Sequence, residues 1–292
     1  MLLPKFEYHE PTTLEEACRI MSELGHGAKP LAGGTDLIVN MKKKIVSPGH
    51  LVSLSKIDDL KKIDTSNGLL KIGACLTAAE LAESKEIRET LTALSRGAES
   101  LGSPLIRNLA TIGGNLISAR PAADLPPALI AYGAKVALKN SSGERLVSLE
   151  DLFLGPGETL IGPNEILTEI HVDSPPPSAG AAYIKLGVRE ALEISLVNVA
   201  AFISMDKDGS IQEARIVLGS VAPTPIRATS AEQILTGEKP SETLFSSAGE
   251  AASKDSKPID DFRASAEYKR AMVEVLTQRA LNQALIKVKD NG

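Results

Sequence analysis

Two stretches hold residues whose types and spacing could do chemistry: AGGTDL at 32–37 and TIGGNL at 111–116. Each sets a glycine pair after a short apolar run and follows it with a side chain able to accept a hydrogen bond. Lacking Cβ atoms, Gly33, Gly34, Gly113 and Gly114 can reach positive φ and bring backbone N–H groups against a ligand, as anion-binding concavities require. A phosphate or pyrophosphate is the matching guest, and two turns predict two grips on one molecule. The spacing is neither GxGxxG nor GxxxxGKS/T, so the Rossmann and Walker signatures are absent. One glycine pair alone is more often a tight turn with no ligand.

The elements that must position these turns are legible from periodicity. Thr12 and Thr13, followed by Glu15 and Glu16, predict a capping box. Leu14, Ala17, Met21 and Leu24 then recur at helical spacing until Gly25. Residues 29–32 read as a strand, and a helix opens at Asp36, so the first turn has a strand–glycine–helix layout suited to phosphate. Residues 50–57 alternate like a strand, and Asn67-Gly68 predicts a hairpin. Thr77 and Glu80 offer a second capping box, opening helical stretches to about Leu101. Asp124 stands before Pro126 and Pro127 at a helix start; by itself it reads as an N-cap. It also follows the second glycine turn, where a ribose or ribityl hydroxyl could meet it. Gly133 closes that helix ahead of a strand at 134–139.

The proline-rich run at 174–178 is the predicted boundary between two domains, 1–175 and 179–292. Beyond it come three strand-like runs, with a KDGS turn between the second and third, and then three helical stretches, the last over 265–287. Strands and helices in separate blocks predict an α+β domain with a three-stranded antiparallel sheet.

Composition removes several classes of function. A hydrophobic fraction of 43% with 24% charged residues fits an ordinary globular protein, and 292 residues suffice for more than one core. The net charge of −5 argues against nucleic acid. No basic leader or long apolar window is present, so the expected location is cytoplasmic. Cys18 and Cys75 lack CxxC spacing, and His9, His26, His50 and His171 lack HxxxH or HxH spacing. No metal is therefore assigned to this chain. Nor is there a nucleophile elbow or HExxH motif, so hydrolases have no anchor. Few acids and bases beside two phosphate grips suit a protein that holds a dinucleotide cofactor.

Over nearly its whole length the sequence resembles the FAD-binding (medium) subunits of the molybdenum hydroxylase family, which includes the carbon monoxide dehydrogenase medium subunit and the FAD part of xanthine dehydrogenase. The resemblance is carried by AGGTDLIVNMK, RNLATIGGNL with PAADLPPAL, AAYIKLGVREALEISLVNVA, VLGSVAPTPIRATSAEQIL and FRASAEYKRAMVEVL. It implies a vanillyl-alcohol-oxidase (PCMH-type) FAD-binding domain of two α/β subdomains, followed by a small α+β domain. By position, Ala32, Gly33, Gly34, Thr35 and Asp36 would line the FAD pyrophosphate from one side, and Thr111, Ile112, Gly113, Gly114 and Asn115 from the other. Asp124 would bind cofactor hydroxyls, while Leu167 and Lys185 would approach the isoalloxazine. No catalytic residue is assigned. The implied partners are a large subunit with the molybdenum cofactor and a small subunit with [2Fe-2S] clusters, in a dimer of heterotrimers, with NAD⁺, a quinone or oxygen as acceptor. Two alternatives remain open: a self-sufficient flavin oxidoreductase, for which the polar candidates Tyr183, Lys185, Arg189 and Glu190 form no convincing acid–base set, and a flavin-free assembly subunit.

Overall fold

A computed structural model of the chain describes residues 2–189 and 192–291. Its first layer is a three-stranded parallel sheet in which His50–Ser53 lies between Glu7–His9 and Ala28–Leu31. Helix Leu14–Leu24 connects two of these strands. Its N-cap Thr13 accepts from Glu16 N–H, and Glu16 reaches back to the N–H of Thr12 rather than of Thr13. Gly25, at φ +51°, ends the helix. Ala17, Cys18, Met21, Val52 and Leu54 form the core of this layer. The strand expected over 50–57 stops at Ser53, where a 3-10 turn at Asp58–Lys61 takes the chain on to the next sheet.

That sheet has five antiparallel strands in the order Ile63–Ser66, Leu69–Gly73, Ile166–Asp173, Lys135–Asn140 and Gly143–Ser148. The Asn67-Gly68 hairpin forms as expected, with both residues at positive φ, and Thr77 with Glu80 makes a complete capping box. Six short helices between Ala78 and Ala131 cover the sheet, and their apolar side chains join Leu70, Ile72, Val136 and Ile170 in the largest core.

After Asp173 the chain enters an antiparallel sheet of Ala179–Leu186, Val197–Met205, Ile211–Gly219 and Ile226–Arg227. This sheet has four strands, not three. The fourth is two residues long, pairing Ile226 with Leu218 and Arg227 with Val217, too short for any alternation to announce it. One face packs under helices Thr229–Leu235, Glu242–Asp255 and Ala266–Asn291. The other presents Ala181, Tyr183, Ala200, Phe202 and Val217 to the core of the preceding sheet. Burial on both faces explains why Val197–Met205 reads as an almost unbroken apolar run. It also brings the strand Ala179–Leu186 against Asp124.

Candidate cofactor site

The first glycine turn packs on the loop that leads into the second. Gly33 lies so close to the loop before the second turn that a Cβ built on it would stand 1.8 Å from the carbonyl oxygen of Leu109. Gly34 has φ +72°, a left-handed conformation that favours glycine. Among the described residues no acceptor bonds the N–H groups of Gly33, Gly34, Thr35 or Asp36, so this turn offers free donors. Ala32 is half-buried against the first core, and Asp36 begins helix Leu37–Lys42 without capping it.

The second turn differs from the expectation. Gly113 and Gly114 do not adopt positive φ; they lie inside helix Ile112–Ile117, and the N–H groups of 112–115 are all used internally. Ile112 N–H bonds Leu76 O, Gly113 N–H bonds Ala74 O, Gly114 N–H bonds Thr111 Oγ1, and Asn115 N–H bonds Thr111 O. Glycine is required at 113 for proximity, because a Cβ there would meet Ala74 Cβ and O at 2.8 Å. What this turn presents to a ligand is an uncluttered helical surface and the Asn115 side chain, whose Oδ1 accepts from Leu125 N–H at 3.4 Å.

Leu167 is buried in the central strand of the five-stranded sheet, beside an irregularity between Leu167 and Glu169. The neighbouring Thr168 O accepts from Ala74 N–H, and Ala74 O accepts from Gly113 N–H, so a two-bond backbone relay ties this strand to the second turn.

Asp124 makes no side-chain cap. Its carboxylate turns instead toward the C-terminal sheet, where Oδ1 accepts from Tyr183 Oη and Ser195 Oγ, both at 2.9 Å, and Oδ2 accepts from Lys185 Nζ at 3.0 Å. Lys185 Nζ also donates to Ser100 O at 3.0 Å. Burial pushes the Asp124 carboxyl above the usual aspartate range; the Lys185 ammonium and the two hydroxyls pull it down only in part. Burial and the adjacent carboxylate likewise hold the Tyr183 phenol well above its ordinary value. A carboxylate has about four lone-pair positions, so three donors leave one on Oδ2 for a further hydroxyl.

Sequence reasoning missed Ser195, which is buried, and Arg120, which lies beside the first turn. Arg120 Nη2 bonds Asn40 Oδ1 at 3.3 Å and its Nε stands 3.8 Å from the Asp36 carboxylate. It is the sole cation between Asn115 and Asp124, which is the signal that could have found it. Beside a phosphate it would offset the like charge of Asp36. Of the residues considered for independent flavin chemistry, Tyr183 and Lys185 converge on Asp124, Arg189 pairs with Glu193 at 2.8 Å, and Glu190 lies outside the described residues.

A glycine turn with free N–H donors, a basic side chain beside it, a second glycine turn joined to it through Leu109 and Ala110, and a buried carboxylate with spare acceptor capacity suit one class: a protein that holds a nucleotide cofactor. Comparison with known proteins gives the family. Residues 4–175 match the family model described as the FAD binding domain in molybdopterin dehydrogenase, and residues 182–284 match the CO dehydrogenase flavoprotein C-terminal domain. The chain belongs to this family of FAD-binding oxidoreductase subunits.

It is 33% identical to the carbon monoxide dehydrogenase medium chain of Hydrogenophaga pseudoflava, over 97% of this chain and 98% of that one. It is 31% identical to a putative xanthine dehydrogenase FAD-binding subunit of Escherichia coli (strain K12), over 95% of each. Among solved structures, carbon monoxide dehydrogenase from Hydrogenophaga pseudoflava superposes with a TM-score of 0.93 at 34% identity, covering 98% of this chain and 99% of the other. Quinoline 2-oxidoreductase from Pseudomonas putida 86 gives 0.92 at 27% identity, covering 99% of each.

Proposed function

We propose that the chain is the electron-transfer subunit of a multi-subunit molybdenum hydroxylase, taking electrons from [2Fe-2S] clusters of a small partner and delivering them to NAD⁺ or another acceptor. A large partner would hold the molybdenum cofactor and oxidise the substrate, in a dimer of heterotrimers. Bound FAD supplies the exchange between one-electron and two-electron carriers. Residues 1–175 would form the FAD domain and 179–292 the domain that closes over it.

The observation that carries the reading is the packing of Gly33 on Leu109 and Ala110, which sets the first turn beside the segment leading into the second. Free N–H groups at Gly33, Gly34, Thr35 and Asp36 would bind phosphate oxygens, with Ala32 lining the same edge. Thr111, Ile112, Gly113, Gly114 and Asn115 would close the other side, the absence of Cβ atoms allowing close approach. Asp124 would accept from a cofactor hydroxyl. Lys185 and the backbone at Leu167 would meet the ring system. No acid–base pair is needed for electron relay, and the pairing of Tyr183 and Lys185 with Asp124 favours binding over proton transfer.

The test is the absorption spectrum of the protein purified gently with whatever chains accompany it, followed by release and identification of the cofactor. FAD bands with iron–sulfur absorbance from co-purifying chains, and molybdenum in the same complex, are expected. FAD on this chain without partners would favour the self-sufficient enzyme; no flavin after reconstitution would overturn the site. Within it, Asp124→Ala is expected to weaken FAD binding by about 1–3 kcal/mol, measured by fluorescence titration.

A further inference from the structure

Three metal-ligating side chains meet at the far end of the parallel sheet. Glu7 and His9 are two residues apart on the edge strand and therefore project from the same face. His50 opens the central strand, directly across from Glu7 in the parallel register. The result is a cluster in which one ligand atom from each side chain lies within 4.8 Å of the others. His9 Nε2 stands 3.2 Å from His50 Nδ1, and His50 Nδ1 stands 3.4 Å from Glu7 Oε2.

We propose that Glu7, His9 and His50 bind one divalent transition-metal ion of the zinc type, which fastens the N-terminal edge strand to the centre of the sheet. The distances carry the argument. With metal–nitrogen bonds of about 2.0–2.1 Å, neighbouring ligand atoms of a tetrahedral site stand about 3.3–3.4 Å apart. Two of the three separations, 3.2 and 3.4 Å, match that edge length, and the third lies within 4.8 Å. The donor set selects the ion: two imidazoles and one carboxylate suit zinc and its neighbours, while calcium and magnesium need six or more oxygens that this cluster lacks. Glu7 is 75% exposed and His50 27%, so the ion can enter from solvent, and the fourth position is open to water.

The site is separate from the glycine turns. His50 and its other strand partner, Ala28, lie at the start of their strands, whereas the first glycine turn follows the end of Ala28–Leu31. With three protein ligands and water in the fourth position the ion is an exchangeable clip rather than a closed four-ligand centre, and what it acts on is the edge strand. A strand of three residues has little holding power of its own, and a ligand bound only by the folded chain stabilises that fold in proportion to its occupancy.

The test uses the untagged full-length chain, freed of metal with a chelator and titrated with Zn²⁺ alone against a chromophoric competitor, with thermal melting and flavin content measured in parallel. One equivalent of Zn²⁺ per chain and a rise in Tm on adding it are expected. His50→Ala should abolish both effects. His9→Gln and Glu7→Gln should each weaken binding by at least about tenfold, the smaller loss found even for outer partners of metal ligands. His9→Gln changes only the edge strand, so it keeps the test valid if His50→Ala fails to fold. His171→Gln, whose imidazole pairs with Glu169 at 2.6 Å, should bind Zn²⁺ as the parent does. Flavin content should not change in any of the variants. Absence of saturable uptake, or equal affinity in the parent and in the His9, His50 and Glu7 variants, would overturn the site and leave His9 and His50 as a simple hydrogen-bonded pair.

Discussion

The two glycine turns share a dipeptide and little else. In the first, Gly34 takes a left-handed conformation and four successive N–H groups are free; in the second, both glycines are helical and their N–H groups are satisfied by Ala74 and Thr111. Gly34 is needed for its backbone dihedrals, whereas Gly33 and Gly113 are needed for room. A glycine pair in a sequence thus marks a place where a side chain cannot be, and only the packing reveals whether conformation or space forbids it.

That comparison can be broken by adding Cβ atoms one at a time and measuring stability in flavin-free protein, so that folding and binding are read separately. Gly33→Ala is expected to be the most damaging, above about 3 kcal/mol in urea denaturation, because the new methyl would collide with the backbone at Leu109, which cannot swing aside. Gly113→Ala should follow at about 1–3 kcal/mol, since its obstacle is the Cβ and carbonyl of Ala74 at 2.8 Å. Gly34→Ala meets only the side chains of Ile38 and Leu31, at 3.1 and 3.2 Å, and its cost of about 1–2 kcal/mol comes from the left-handed φ. The smallest effect on folding belongs to Gly114→Val, about 1 kcal/mol, because its Cβ meets a single side-chain atom, the capping Thr111 hydroxyl at 2.9 Å, which must shift, while valine suits a helix slightly better than glycine. That last variant sharpens the contrast: a folded protein with little FAD would identify the second turn as a contact surface, and full flavin content would make it a purely structural helix.

Much of the first domain was legible because its signals are local. The Thr77–Glu80 capping box, the Asn67-Gly68 hairpin and the stop at Gly25 each depend on residues a few positions apart. The strand Gly143–Ser148 was not, since an edge strand with mostly exposed side chains has no alternation to read. Within the site, residue identities were legible and their partnerships were not. Asp124 reads as an N-cap from its neighbours, yet its hydrogen bonds run to Tyr183 and Ser195, 59 and 71 positions away. His9 and His50 are 41 positions apart and come together only through parallel pairing, which spacing rules written for helices and hairpins do not describe. Of the used donors of the second turn, those of Ile112 and Gly113 go to tertiary partners, Leu76 and Ala74, and those of Gly114 and Asn115 to the local cap at Thr111.

The burial of Asp124 has a consequence for any attempt to take the molecule apart. Tyr183, Lys185 and Ser195 all lie beyond the proline-rich run, so a chain ending before 179 would open this carboxylate to water and let its pKa fall back into the ordinary range. It would also uncover the apolar sides of helices Thr92–Ser100 and Leu125–Ala131, which pack against the C-terminal sheet and share a core with Ala181 and Phe202. A truncated first half would be sticky and aggregation-prone in the test tube, so the halves are best expressed on one polypeptide and separated, if at all, only after folding.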